Sequence, residues 1–77
     1  MTMAEKIYRA RLRKQWTQED LAKRANITQA AVSRLESGRL ANPTADVVRS
    51  LCLALDISSD YLINLHKELE EKMAEVR

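Results

Sequence analysis

Gly38 and Pro43 are the single glycine and the single proline of this chain, and both fall in one short stretch. No other residue types interrupt a helix so strongly. Glycine loses the most backbone freedom on folding, and proline lacks an N–H and clashes with the preceding turn. The rest of the sequence is rich in Ala, Leu, Glu, Lys and Arg, all good helix formers. A chain of 77 residues supports one small domain, with a core so limited that it needs efficient packing or a second copy. Apolar residues are 45% and charged residues 31%, a globular balance. The expectation is an all-α, compact five-helix bundle.

Caps and apolar spacing place the helices. The first runs from about Thr2 or Met3 to Lys14, with Ile7 and Ala10 inward, Tyr8 and Leu12 as further inward candidates, and a basic outer face. Thr17 caps a second helix over Gln18–Ala25 that carries Glu19 and Asp20 near its positive end and buries Leu21, Ala22 and Ala25. Asn26 and Ile27 break the pattern. Thr28 caps a third helix over Gln29–Ser37, which Gly38 ends by accepting left-handed backbone. After a loop through Arg39, Asn42 and Pro43, Thr44 caps a fourth helix to about Leu55, with Val47, Val48, Leu51 and Leu55 at helical spacing. Ser58 or Ser59 caps a fifth, with Tyr61, Leu62 and Leu65 facing inward.

Charge divides the chain unevenly. Residues 1–39 hold nine basic and four acidic side chains, whereas residues 40–77 hold four and seven. That asymmetry suits an N-terminal half facing a polyanion. Cys52 is the lone cysteine, so an internal disulfide and a Cys-based zinc site are excluded, consistent with a reducing compartment. The first residues do not resemble a signal peptide, and no apolar run approaches the length that spans a bilayer. A soluble, cytoplasmic protein with no membrane partner is expected.

The segment Gln18–Ser37, QEDLAKRANITQAAVSRLES, reads as two short helices joined by a turn of about three residues, a helix-turn-helix unit. Ala22 leaves room for Val32 of the second helix, Leu21 and Leu35 fill the flanks, and Ile27 plugs the turn. TQEDLAKRANITQAAVSRLESGR resembles, in order and spacing, the signature of the phage Cro and repressor family, and PTADVVRSLCLALDISSDYL is similar to that family's fourth and fifth helices. The likeness covers about residues 5–65. It implies a lambda repressor-like, Cro/C1-type DNA-binding domain. Two positions depart from the pattern: the family usually has glycine where this chain has Gln15 and Asn26. Asparagine tolerates left-handed backbone well and glutamine less so.

The chemistry of the third helix fits the same reading. A helix about 10–12 Å across enters a B-DNA major groove about 12 Å wide. Its outward residues would be Gln29, Ala30, Ser33 and Arg34. Gln pairs bidentately with adenine and Arg with guanine, Ala touches a thymine methyl, and Ser serves several base edges. Gln18 and Thr28 lie at helix N-termini, where free N–H groups favour phosphate. The resemblance further implies that Gln18, Ser37 and Arg39 bind the sugar-phosphate backbone and that Gln29, Ala30 and Arg34 read bases. It also implies that Arg11 pairs with Glu36 to orient the reading helix.

Other residues have plainer roles. Arg9, Arg13 and Lys14 read as a solvated face, Trp16, Tyr8 and Tyr61 as core, Ala31 as a helix former and Cys52 as a packed thiol. His66 has no second ligand near it for a metal. No Ser, His and carboxylate arrangement and no phosphate-cradling glycine loop is present, which argues against an enzyme. After residue 65 the stripe Leu62, Leu65, Leu69, Met73 and Val76 continues at helical spacing, with the pairs Lys67–Glu71 and Glu68–Lys72 on the polar side. The expected organisation is a DNA-binding domain over residues 1–65 and a helical extension over 66–77 that packs on a second subunit. Taken together, the sequence predicts a transcription regulator, a repressor, that binds a near-palindromic double-stranded operator as a homodimer without cofactor or small-molecule ligand. The rival is a protein-interaction module of the same fold, such as an antitoxin or adaptor.

Overall fold

The computed structural model describes residues 1–40 and 42–63, and these form five α-helices. They are α1 (Met3–Arg13), α2 (Gln18–Ala25), α3 (Gln29–Ser37), α4 (Ala45–Leu55) and α5 (Ser59–Ile63). No strand occurs among the described residues. Each helix start is set by a short polar side chain that satisfies an orphan backbone donor. The Glu5 N–H donates to Thr2 Oγ1 at 3.2 Å, Ala31 to Thr28 at 3.0 Å, Val47 to Thr44 at 3.3 Å and Tyr61 to Ser58 at 3.1 Å. At α2 the exchange is reciprocal. Asp20 N–H donates to Thr17 Oγ1 at 3.1 Å, and Thr17 N–H donates to the Asp20 carboxylate at 2.9 Å.

The helix ends share a second device. Gln15, Asn26 and Asp56 adopt positive φ values of 60°, 56° and 57°. Each is followed by an apolar residue whose N–H returns to the last turn: Trp16 to Arg11 O at 3.2 Å, Ile27 to Ala22 O at 2.9 Å and Ile57 to Cys52 O at 3.0 Å. Trp16, Ile27 and Ile57 pack partly buried against the core, so the left-handed residue stops the helix and its successor staples the stop. Gly38, at φ 81°, does the same for α3 ahead of Leu40. Only this fourth stop uses glycine.

The core is drawn from every helix: Ile7 and Ala10 of α1, Leu21, Ala22 and Ala25 of α2, Val32 and Leu35 of α3, Val48, Leu51, Cys52 and Leu55 of α4, and Leu62 of α5. Helix α3 packs on α1 and α2, α4 on α1 and α2, and α5 on α1 and α4. Three side chains expected inward are not. Tyr8 and Leu12 remain 46% and 48% exposed, and Tyr61 is exposed as well. The inward face of α1 is instead Met3, Lys6, Ile7, Ala10 and Arg11, which leaves Tyr8 and Leu12 a further 100° round the helix. Lys6, from the expected basic outer face, turns in and donates to the Tyr61 carbonyl at 2.7 Å, with its ammonium 5.0 Å from the Tyr61 ring centre. Trp16 is half-buried, with the Arg24 guanidinium 4.6 Å from its ring centre. Among the described residues no helix is long and apolar enough to cross a membrane. Leu65, His66, the tail stripe with its two charge pairs and the boundary at residue 65 lie outside the described residues.

Candidate nucleic-acid interface

Helix α3 has two unlike sides. Val32 and Leu35 are fully buried, while Gln29, Ala30, Ser33 and Arg34 are exposed. Gln29 and Ser33 are four residues apart, as are Ala30 and Arg34, so the four form two adjacent columns on one helical face. A long amide and a guanidinium thus flank a floor made by a methyl and a hydroxyl. That floor is low enough for the helix backbone to approach a flat surface closely.

Behind this face lies a polar network that ties α1, α2 and α3 together. Arg11 Nε donates to Glu36 Oε2 at 2.7 Å and Nη2 to Glu36 Oε1 at 2.9 Å, a two-pronged pair. Both side chains are nearly out of solvent, 10% and 6% exposed. The third arm, Nη1, donates to the Trp16 carbonyl at 2.8 Å and so fixes the segment leading into α2. Gln18 Nε2 donates to Glu36 Oε1 at 3.3 Å. The hydrogen bond to Glu36 holds the Arg11 pKa above its ordinary value, against the opposing effect of burial. The pair implied by the resemblance is therefore present. Because it fixes Glu36 on α3 against α1 and the start of α2, it also sets the rotation of the outward columns.

The remaining expected residues lie around this face with differing freedom. Thr28 is exposed at the start of α3, its oxygen accepting from Ala31 while its own proton is available to a further acceptor. Gln18 is half-buried at the start of α2; one amide proton goes to Glu36, leaving the second for another partner. Arg39 is exposed just past the end of α3. Ser37 is exposed too, but its hydroxyl donates to the Arg34 carbonyl at 3.1 Å and accepts from the Arg39 N–H at 3.4 Å. It acts here as a local cap that places Arg39. The Gln18 and Trp16 contacts to the Arg11–Glu36 pair escaped the sequence reading, since nothing in residue spacing distinguishes an amide aimed at solvent from one aimed at a carboxylate on the next helix.

Two short packed helices joined by a turn, the second with an exposed face, form a helix-turn-helix unit. The helix-turn-helix family matches residues 7–62, most of the chain, and the protein belongs to that family in its phage Cro/repressor form. The family match and the fold are those of DNA-binding transcription regulators. Among solved structures the chain is similar to the P22 c2 repressor protein, crystallised in complex with a synthetic operator. The identity is 28%, the TM-score is 0.77, and the match covers 82% of this chain and 94% of that one. A comparison with curated proteins returns no match.

Proposed function

We propose that the protein is a sequence-specific regulator of transcription, a repressor, that binds a near-palindromic double-stranded operator as a homodimer with α3 in the major groove. The observation that carries this reading is the exposed face of Gln29, Ala30, Ser33 and Arg34, held from behind by the Arg11–Glu36 pair. Gln29 and Arg34 supply the amide and guanidinium that pair with adenine and guanine, Ala30 meets a thymine methyl, and Ser33 serves a neighbouring edge. Gln18 and Thr28 offer free protons and helix N-terminal amides to phosphate, and Arg39 offers charge. Ser37 contributes to the backbone contact by holding Arg39 and, on rotating its hydroxyl, by donating directly. The operator complex of the P22 c2 repressor, a structure of the same fold, supports this docking. Repression follows from occupancy of a promoter and needs no cofactor. Two copies related by a twofold axis read half-sites about 34 Å apart, which doubles the length of sequence recognised.

Selection from random duplexes, with affinity measured at two salt concentrations, tests the reading. The expected outcome is a twofold-symmetric motif with affinity falling steeply as salt rises. Within that assay Arg34→Ala is expected to weaken the selected site by about 1–3 kcal/mol and relax one base position, whereas Arg39→Ala weakens all duplexes alike and flattens the salt slope. Equal losses for Arg34→Ala on selected and random duplexes would remove the base-reading role. Failure to enrich any motif, with a protein captured instead, would favour the antitoxin or adaptor reading.

A further inference from the structure

The four exposed residues of α3 stand in two rows across the helix as well as in two columns along it. Gln29 and Ala30 are consecutive, as are Ser33 and Arg34 one turn further on. Each row sets a long side chain able to form two hydrogen bonds beside a short one: amide beside methyl in the first, guanidinium beside hydroxyl in the second. The long member changes column from one row to the next. A base pair presents the same composition to the major groove. Its purine offers a two-pronged edge, N7 with N6 or O6, and its pyrimidine a single group, the thymine methyl or the cytosine N4 amine. Consecutive residues lie about 100° apart round a helix, so the two columns face opposite strands of a groove that the helix follows. Val32 and Leu35 are fully buried behind the rows, and Arg11 pins Glu36 at 2.7 Å, which fixes the column that faces each strand.

We infer that each row reads both bases of one pair. Gln29 takes an adenine while Ala30 meets the methyl of the thymine paired with it; Arg34 takes a guanine while the Ser33 hydroxyl accepts from N4 of the cytosine paired with it. The inference rests on the base-reading role proposed for α3 and names the duplex that this face fits. Gln29 and Arg34 occupy different columns, so the two purines lie on opposite strands. Rows four residues apart are separated by about 6 Å along the helix, close to two base-pair steps of about 3.4 Å, which leaves one unread pair between them. Each half-site therefore carries an adenine and a cytosine on one strand with a single base between them, and the matching thymine and guanine on the other. The short residue of a row adds selectivity that the long one lacks. A cytosine in place of that thymine would set its N4 amine against the Ala30 methyl, with no acceptor there.

Duplexes of the selected motif with single groups altered test this. Deoxyuridine for thymidine deletes the methyl, 7-deazaadenine and 7-deazaguanine delete N7, and N4-methylcytosine replaces the groove-facing amine proton. Wild type is expected to lose about 3-fold in affinity with deoxyuridine, the value of one buried methyl, and about 3- to 10-fold with each of the others, the value of one hydrogen bond. Ala30→Gly is expected to be indifferent to deoxyuridine, Gln29→Ala to 7-deazaadenine, Arg34→Ala to 7-deazaguanine and Ser33→Ala to N4-methylcytosine. The first two sensitivities should fall in one base pair and the last two in another. Each comparison sets two duplexes against one protein, so a change in the stability of that variant cancels, and circular dichroism verifies that it is folded. A thymine methyl sensed in a different pair from the adenine N7, both purines on one strand, or read pairs without a single pair between them would each overturn the inference. If such a motif still loses one base position in Arg34→Ala, the pair assignment has failed while base reading by α3 stands. A selection that enriches no motif removes both.

Discussion

Gln15 holds left-handed backbone at φ 60°, a conformation that costs an L-residue with a Cβ about 1–2 kcal/mol. Gln15→Gly is expected to relieve that cost, partly offset by the greater freedom of glycine in the unfolded chain. A net stabilisation of about 0.5–1 kcal/mol should appear as a rise of several degrees in Tm. Asn26→Gly, at φ 56°, should give a smaller gain, because asparagine already tolerates this region. An unchanged or lower Tm for Gln15→Gly would show that the side chain contributes something at this turn beyond its strain. The sequence reading singled out both positions by comparison with a family that uses glycine there. It did not single out Asp56, whose φ of 57° becomes apparent only from the path of the chain into α5.

At the scale of elements, α3 takes its orientation from Arg11 and Glu36, and α2 its start from Thr17 and Asp20. Arg11→Met would leave the Glu36 carboxylate buried without its cation, at an expected cost of about 3–5 kcal/mol in denaturant unfolding. Combining Arg11→Met with Glu36→Leu should recover most of that loss while DNA affinity stays reduced, since the rotation of α3 is no longer fixed. If the double variant bound the selected duplex like wild type, the pair would have no orienting role. The Asp20 pKa is lowered, first by the backbone N–H of Thr17 and then by its hydroxyl. A lowered folded value means that Asp20 stabilises α2 when ionised. Its contribution is whole above the unfolded carboxylate pKa of about 4 and disappears as pH falls through the lower folded value. The urea midpoint of wild type should therefore exceed that of Asp20→Asn at neutral pH, and the gap should narrow as pH falls below the unfolded carboxylate range. A gap independent of pH would assign the effect to packing instead.

Across the whole molecule, the buried Lys6 ammonium joins the first helix to the last through the Tyr61 carbonyl, 55 residues away. Lys6→Met keeps the aliphatic stem and removes the donor. It is expected to cost about 1.5–3 kcal/mol and to speed hydrogen exchange in α5 while α2 and α3 keep their protection. Uniform acceleration in every helix would mean that α5 is not held separately by this contact.

The sequence by itself determined the helices, their caps, most of the core and the outward set on α3. These follow from local rules: a threonine satisfies amides two or three residues on, and apolar spacing marks one side of a helix. Only the tertiary structure decided that Lys6 turns inward while Tyr8 and Leu12 turn out, and that Gln18 already reaches Glu36. Each of these outcomes depends on a partner from a distant helix. A periodic pattern gives the width of a buried face but not its exact centre, and one residue's shift on α1 exchanges a tyrosine for a lysine.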